Sequence, residues 1–168
     1  MKHRVVITGM GVVAPNGVGL TDFNRAIKKG TSGITFHQNL KDLDFSCCIG
    51  GIPDISEEKK LAYFTPLQLR GFNSSGILYG CIAGMDAWKD AGFSIDAESE
   101  LDYDSGIIFG TGTSGVEKFR EAIYKLDNKE VKRLGSTVVV QTMASGISAF
   151  LGGILGLGNQ VSTNSSAC

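Results

Sequence analysis

Residues 135–168 contain no charged side chain, although Lys, Arg, Asp and Glu make up 20% of the whole sequence. Because an uncharged run of this length cannot be a solvated surface, it belongs either to the core of a large soluble protein or to a membrane protein. The run closes on Ser165, Ser166, Ala167 and Cys168. A thiol among small residues after an apolar stretch is typical of a nucleophile on a tight turn that follows a buried strand.

The apolar part of this run, residues 135–158, is long enough to cross a bilayer about 30 Å thick. It also contains Gly152 and Gly156 at the GxxxG spacing of membrane helix dimers. However, polar residues interrupt it, no aromatic belt flanks it and no second span is visible. The sequence therefore favours a buried helix over residues 138–155, whose small residues allow close approach of another backbone, as across a dimer interface.

The rest of the chain repeats an order of short apolar strand, glycine turn and helix. Strands are predicted over residues 3–9, 105–110 and 160–163, a short strand or extended edge over 47–52, and helices over 21–29, 73–91 and 116–126. This order predicts an α/β fold with a central sheet, and apolar strands without alternation predict a sheet buried on both faces. Three strands are too few to close such a sheet, so a domain over residues 1–168 is expected to be incomplete alone.

Several binding functions are disfavoured by composition and motif context. A net charge of −1 does not provide the excess of basic residues that is typical of nucleic-acid-binding proteins. Residues 9–14 match GxGxxG/A, but Pro15 follows where a helix is required and no acidic residue lies about 20 positions further on. A glycine turn is therefore favoured over a dinucleotide site. The glycine-rich loop at residues 110–115 lacks GK[ST], which excludes a P-loop.

The four cysteines predict reduced thiols rather than disulfides. Cys47 and Cys48 are adjacent, which suits neither a simple disulfide pair nor a zinc site. The apolar run at the N-terminus is too short for a signal peptide. These features predict a cytoplasmic protein. Cys81 falls on the apolar face of a predicted helix, which indicates a structural role. His37 lies among polar residues and is predicted to be a surface residue rather than a base.

Cys168 has the position of a nucleophile but no visible partner. A helix starting just after it would favour the thiolate and offer N–H groups to an oxyanion. A base or proton-transfer group is also needed, and neither His3 nor His37 fits that role. The residues alone leave two interpretations open, a catalytic thiol or a buried small residue.

Five segments together carry a family resemblance: RVVITGMGVVAPNG, GTSGITF, GTGTSG, VVVQTMASGISAFL and STNSSAC. In this order and spacing the chain resembles the N-terminal part of the β-ketoacyl-acyl-carrier-protein synthases, the condensing enzymes of fatty acid and polyketide synthesis. The ITF and MASGISA stretches are most similar to the type I branch of the bacterial dissociated synthases. A related synthase that makes polyenes or polyketides is an alternative.

The resemblance implies a thiolase-like fold with αβαβα layers, usually dimeric, of which this chain is an incomplete N-terminal half. It implies that Cys168 takes an acyl group from acyl carrier protein, and that decarboxylation of malonyl carrier protein gives the carbanion that attacks this thioester. The backbone N–H of Cys168 would be one oxyanion donor. Substrates would be carried on phosphopantetheine, and neither a cofactor nor a metal is implied.

Two further positions match the family. Thr113 corresponds to a residue that sets the depth of the acyl pocket, where glycine or a larger apolar residue is common, so chain length stays open. Met143 corresponds to a residue near the dimer contact that lines the partner's pocket. The partner is expected to be a second copy or a related synthase subunit.

The family's two catalytic histidines, its lysine and its phenylalanine-bearing glycine loop follow the nucleophile and are absent here. We therefore expect a portion of a longer synthase, or a piece that pairs with the remainder, which is inactive and unfolded alone because its sheet edges are uncovered. Two alternatives are a non-condensing subunit that shapes chain length in a heterodimer, which usually lacks the nucleophile, and a small α/β binding module.

Overall fold

The computed structural model describes residues 4–96 and 100–165. The strands there are β1 (Val13–Ala14), β2 (Gly17–Val18), β3 (Ile34–Phe36), β4 (Ile49–Gly51), β5 (Ile107–Gly110) and β6 (Val161–Asn164). The helices are α1 (Leu20–Lys29), α2 (Gln38–Asp42), α3 (Glu57–Leu61), α4 (Pro66–Gly71), α5 (Ser75–Asp90), α6 (Val116–Asp127), α7 (Val138–Thr142) and α8 (Gly146–Leu155), with a 3₁₀ turn at Val131–Arg133.

The strands pair two by two. Strands β1 and β2 form an antiparallel hairpin, and so do β3 and β4. Strands β5 and β6 are parallel, with Ile107 opposite Val161 and Gly110 opposite Asn164. Helices α6, α7 and α8 make the crossover between them. The predicted mixture of strands and helices is confirmed, and β6 lies where residues 160–163 predicted a strand.

The core lies between α5 and α8. Ile77, Ile82, Ile147 and Leu151 are buried there, and Ile82 is 0% exposed. The two helices approach closely because glycine faces the contact: a Cβ at Gly84 would overlap the side chain of Leu151. The apolar spacing at residues 73–91 correctly predicted α5. The glycine that permits this contact lies on α5, and the close approach predicted for the small residues of α8 stays a prediction.

The single long helix predicted over residues 138–155 is wrong. It divides into α7 and α8, and Met143 between them is extended, at φ −79° and ψ 141°. The chain folds back so tightly that a Cβ at Gly146 would overlap the carbonyl oxygen of Val140. Apolar composition continues across this break, so hydrophobic periodicity gives no sign of it. Over the described ranges, no helix is long and apolar enough to span a bilayer.

The strand predicted at residues 3–9 is also wrong for its described part. Residues 4–9 form no strand, and Val5 and Ile7 are 94% and 85% exposed. A β pattern becomes a strand only where a neighbouring strand supplies the hydrogen bonds, and no strand of the described ranges pairs with this segment.

Burial on both faces of the sheet is not observed. Ile107 and Phe109 pack against the core, whereas Ile108 between them is 76% exposed. The uncharged C-terminal run is likewise not wholly interior, since Val139 and Met143 are exposed. On α6 the four apolar residues that the helical spacing places on one side are exposed as well: Val116, Phe119, Ile123 and Leu126.

Helix α1 begins one residue before the predicted start. The sequence predicts Thr21 as the N-cap and Gly30 as the end of this helix. In the structure the N-cap is Gly19, and the helix ends as predicted at Gly30, which is left-handed at φ 64°. The preceding glycines pack against α5, because a Cβ at Gly11 would overlap the carbonyl oxygen of Ala83. Pro15 lies in the turn between β1 and β2. The GxGxxG/A stretch is thus followed by the β1–β2 hairpin and not by the helix that a dinucleotide site requires, and residues 9–12 do not themselves form a turn.

Candidate functional site

The candidate site lies where β5 and β6 end. Because the two strands are parallel, their carboxyl ends lie at the same sheet edge, with Gly110 opposite Asn164. The N–H of Thr111 extends the ladder by donating to the carbonyl oxygen of Asn164, at 3.1 Å. The loop at residues 111–115 therefore leaves the sheet beside the segment that leads to Cys168. Cys168 itself lies outside the described residues.

The loop after β5 has a fixed conformation. The Thr111 hydroxyl donates to the carbonyl oxygen of Thr113 at 3.1 Å, and the Thr113 residue is exposed. Gly115 is left-handed at φ 65°, and a Cβ there would overlap the carbonyl oxygen of Gln141. Both the backbone angle and the lack of space require glycine at this position. The loop that carries Thr113 is thus seated against the end of α7.

Gln141 links this loop to the start of α5. The residue is 4% exposed, and its Oε1 accepts from the N–H groups of Asn73 and Ser74 at 2.8 and 3.0 Å. These donors would have no partner within the helix, so the glutamine caps it in place of an N-cap side chain. A glutamine within the apolar run was the available sequence signal, but its partners could not be identified from the sequence alone.

Glu117 completes the same junction from α6. Its Oε1 accepts from the Ser75 N–H at 2.6 Å and from the Ser75 hydroxyl at 2.9 Å. Burial opposes ionisation of this carboxyl, but the hydrogen bonds from Ser75 outweigh it and hold the pKa of Glu117 below its usual value. A carboxylate at a helix N-terminus is also favoured by the helix dipole. Glu117 of α6 and Gln141 of α7 thereby both bind the start of α5.

Met143 follows α7 directly, beyond Gln141 and Thr142. The Thr142 Cα would lie 3.0 Å from a Cβ at Gly115, so the segment before Met143 touches the loop. The Met143 side chain is exposed. The structure thus brings the loop of Thr113 and the chain segment of Met143 together.

A hydroxyl pair fixes the end of β6 to the core. The oxygens of Ser148 and Thr163 lie 2.6 Å apart, and the Ser148 hydroxyl also lies 3.1 Å from the carbonyl oxygen of Ser145. Ser148 is buried in α8, which is packed on α5. Thr163 is therefore anchored one residue before β6 ends. Neither residue was identified from the sequence.

The other cysteines and the described histidine do not contribute to this edge. Cys81 is fully buried, as its place on an apolar helical face predicted, and burial raises the pKa of its thiol to about 12, which disfavours the reactive thiolate. Cys47 and Cys48 precede β4. His37 is half-buried rather than a plain surface residue, and its Nε2 lies 3.1 Å from the carbonyl oxygen of Gly50 in the β3–β4 hairpin.

A family model described as Beta-ketoacyl synthase, N-terminal domain, matches residues 2–168. The chain belongs to the β-ketoacyl synthase family. It is 29% identical over 116 residues to 3-oxoacyl-[acyl-carrier-protein] synthase 2 of Vibrio cholerae serotype O1, a match that covers 69% of this chain and 27% of the relative. It is 29% identical over 113 residues to the Tetracenomycin polyketide synthase ketoacyl synthase beta subunit of Streptomyces glaucescens, covering 67% and 26%.

Solved structures support the same family fold. The crystal structure of a β-ketoacyl synthase from Burkholderia phymatum matches with a TM-score of 0.80 at 26% identity, over 99% of this chain and 40% of the other. A type II polyketide ketosynthase in complex with its acyl-carrier protein matches with a TM-score of 0.70 at 21% identity, over 99% and 38%. The fold is the thiolase-like ketosynthase fold, and the chain spans about a quarter of the length of the curated relatives it matches.

Proposed function

We propose that this chain provides the acyl-accepting nucleophile of a 3-oxoacyl-acyl-carrier-protein synthase, an acyltransferase of fatty acid or polyketide synthesis. The Cys168 thiolate attacks the thioester carbonyl of an acyl carrier protein. A carbon–sulfur bond to Cys168 forms, the bond to phosphopantetheine breaks, and the carrier leaves as its thiol after taking up a proton. Decarboxylation of malonyl carrier protein then releases CO₂, and the resulting carbanion attacks the acyl-cysteine and frees the thiolate.

The observation that carries this proposal is the parallel register of β5 and β6. Because of this register, the loop at residues 111–115 and the chain after Asn164 both leave the sheet at the same edge. A substrate thioester presented to Cys168 would meet that loop. Family membership supports the chemistry, because cysteine as a nucleophile suits transfer of an acyl group between thiols.

Thr113 and Met143 have specificity roles in this proposal. Thr113 is exposed in the loop beside the end of β6. Its β-branched side chain with a hydroxyl would limit the depth of the acyl pocket there. Met143 is exposed at the end of α7 and would line the pocket of a partner subunit. The partner would be a second copy or a related synthase subunit.

Substrate delivery and proton transfer depend on other parts of the synthase system. Acyl carrier protein delivers both substrates on phosphopantetheine, so no bound cofactor or metal takes part. The proton-transfer groups of condensation come from the rest of the synthase. The family's histidine and lysine positions lie beyond Cys168, and His37 is held in a hairpin by Gly50. The expected location is the cytoplasm.

A second candidate is the non-condensing subunit of a heterodimeric synthase. It is favoured by the 29% identity to a ketoacyl synthase beta subunit. In that case the chain would shape the pocket of a catalytic partner and would not become acylated. The presence of Cys168 favours the condensing enzyme, and acyl transfer to this thiol separates the two functions.

The test is intact-mass spectrometry of the complete synthase that contains this chain, before and after incubation with a decanoyl-loaded acyl carrier protein. The proposal predicts a gain of one decanoyl group, mapped to Cys168 by peptide analysis and lost in Cys168→Ala. Cys47→Ala is the matched control and should gain the same mass. Acylation of Cys47 or Cys48 at the rate of Cys168, or none at all, would contradict a nucleophilic role for Cys168.

A further inference from the structure

A groove of about 580 Å³ lies on the outer face of α5 and α8, under the segment that joins α3 to α4. This volume falls within the range of pockets that hold small molecules, roughly 300–1,000 Å³. Its lining comes from four neighbouring parts of the chain: Ala62, Tyr63, Gln68, Met85, Lys89, Ile95, Ala149, Phe150, Gly153 and Ile154. The nucleophile proposed above lies beyond β6, and none of these residues belongs to the loop or strand ends of that site.

The floor of the groove is apolar. Met85 is buried beneath it, and Phe150 is fixed by stacking on Phe72, with ring centroids 4.3 Å apart. Ile154 follows one turn further along α8. The width comes from small residues on α8, because a Cβ at Gly153 would have no atom within 4 Å. An elongated apolar group could therefore lie along α8 and remove this surface from water.

The rim of the groove carries an available positive charge. The Lys89 ammonium lies 5.2 Å from the centre of the Tyr63 ring, and no carboxylate of the described ranges forms an ion pair with it. Asp86, one turn earlier on α5, already accepts a hydrogen bond from the Tyr63 hydroxyl at 2.7 Å.

A second donor lies on the same rim. The Oε1 of Gln68 accepts from both the N–H and the hydroxyl of Thr65, at 2.8 and 3.1 Å, in the capping box of α4. This fixes the side-chain amide, and its Nε2 makes no hydrogen bond within the described part of the chain. The rim thus offers an ammonium and an amide N–H, which are both donors.

We propose that this groove binds a single-chain anionic amphiphile, with its apolar tail along α8 over Phe150 and Ile154 and its carboxylate at Lys89 and Gln68. Charge complementarity selects the occupant, since an apolar trough with donors at one end matches a medium-chain carboxylate better than a neutral or cationic chain. The inference does not depend on the proposed condensing activity. The groove lies between α8 and residues 62–68, and its occupancy requires no reaction at Cys168.

The test compares three probes that share a ten-carbon tail: decanoate, decanol and decyltrimethylammonium. Binding to the protein is measured by isothermal titration calorimetry below the micelle concentration of each probe. We expect decanoate to bind most tightly, decanol less tightly and the cation weakest. Equal affinity for all three probes would overturn the proposal, because the rim would then not discriminate between anionic, neutral and cationic head groups.

Two variants assign the binding to this groove. Lys89→Gln should weaken decanoate about fivefold, the size expected for an exposed charge pair, and leave decanol unchanged. Lys29→Gln, which removes an exposed lysine at the end of α1, should change neither. Gly153→Leu should abolish binding of all three probes by filling the groove, while circular dichroism stays native because leucine favours a helix more than glycine.

Asn24→Leu adds a leucine to the exposed surface of α1 and controls for general adhesion of the probes. Its affinities should match those of the unmodified protein. Decanoate binding that survives in Gly153→Leu would place the ligand elsewhere, for instance in the acyl pocket of the synthase site, and would overturn this inference without affecting the proposed function.

Discussion

The α5–α8 pair and the β5–β6 edge both carry large apolar residues but differ in what surrounds them. Ile82 of α5 contacts the packed interior and is fully buried, whereas Ile108 of β5 is 76% exposed. The same contrast separates Leu151 of α8 from Val139 of α7. An apolar side chain is therefore more stable when buried, but whether it is buried depends on which helices and strands pack against it.

The difference also separates the two sites of the molecule. The α5–α8 core supports the site through Ser148, which holds Thr163 near the end of β6, and through the helix start capped by Gln141. The edge carries the loop of Thr113 and the end of β6 at Asn164. We infer that the core gives the edge its geometry, and that the edge keeps exposed groups available for binding.

The largest expected difference is between two isoleucine truncations. Ile82→Ala should lower the free energy of unfolding by about 2–5 kcal/mol, because it leaves a cavity in the core. Ile108→Ala removes the same atoms from an exposed position and should change the free energy of unfolding by less than about 0.5 kcal/mol. Urea denaturation followed by circular dichroism measures both. Equal losses would show that β5 is as enclosed as α5.

An intermediate effect is expected at the glycines. Gly115→Ala should lower the free energy of unfolding by about 1–3 kcal/mol beyond backbone strain, since the new Cβ meets the Gln141 carbonyl. Gly135→Ala is the matched control: it has φ 79° but no atom within 4 Å of the new Cβ. It should cost only the left-handed strain, about 1–2 kcal/mol. Denaturation midpoints of the two variants would coincide if the loop did not pack on α7.

The smallest effect concerns pH and Cys81. Burial raises the pKa of this thiol from 9.0 to about 12, so the folded chain holds the proton more tightly than the unfolded chain. This contribution to stability is complete below pH 9 and declines as pH rises towards 12. Between pH 7.5 and pH 10 the loss should be about 1 kcal/mol. Urea titrations of Cys81→Ala at both pH values should show a smaller loss than the unmodified chain, and an identical loss would mean that Cys81 ionises freely.

The sequence predicted those parts that short-range pattern decides. Apolar spacing located α5, Gly30 marked the end of α1, and the β-branched stretch before Asn164 indicated β6. Cys81 was assigned to the core because it lay on an apolar helical face. In each case the residues that determine the structure are neighbours in the chain, so the pattern and the outcome coincide.

The parts that were missed leave no trace in apolar spacing, and all but the break at Met143 depend on residues distant in sequence. The break at Met143 follows from the close approach of Gly146 to Val140, and the exposure of Ile7 follows from the absence of a pairing strand among residues 4–96 and 100–165. The role of Gln141 requires Asn73 and Ser74, nearly 70 positions earlier. The family resemblance supplied Thr113 and Met143, whose roles stay predictions.

The central claim is that the loop at residues 111–115 and Cys168 form one acyl-accepting site. The most direct measurement is the rate of decanoyl transfer from acyl carrier protein to Cys168 in Gly115→Ala and Gly135→Ala, both confirmed to be folded. The account predicts that Gly115→Ala slows transfer at least tenfold, a loss of about 1.4 kcal/mol in transition-state stabilisation, and that Gly135→Ala does not. Equal rates in the two variants would contradict it.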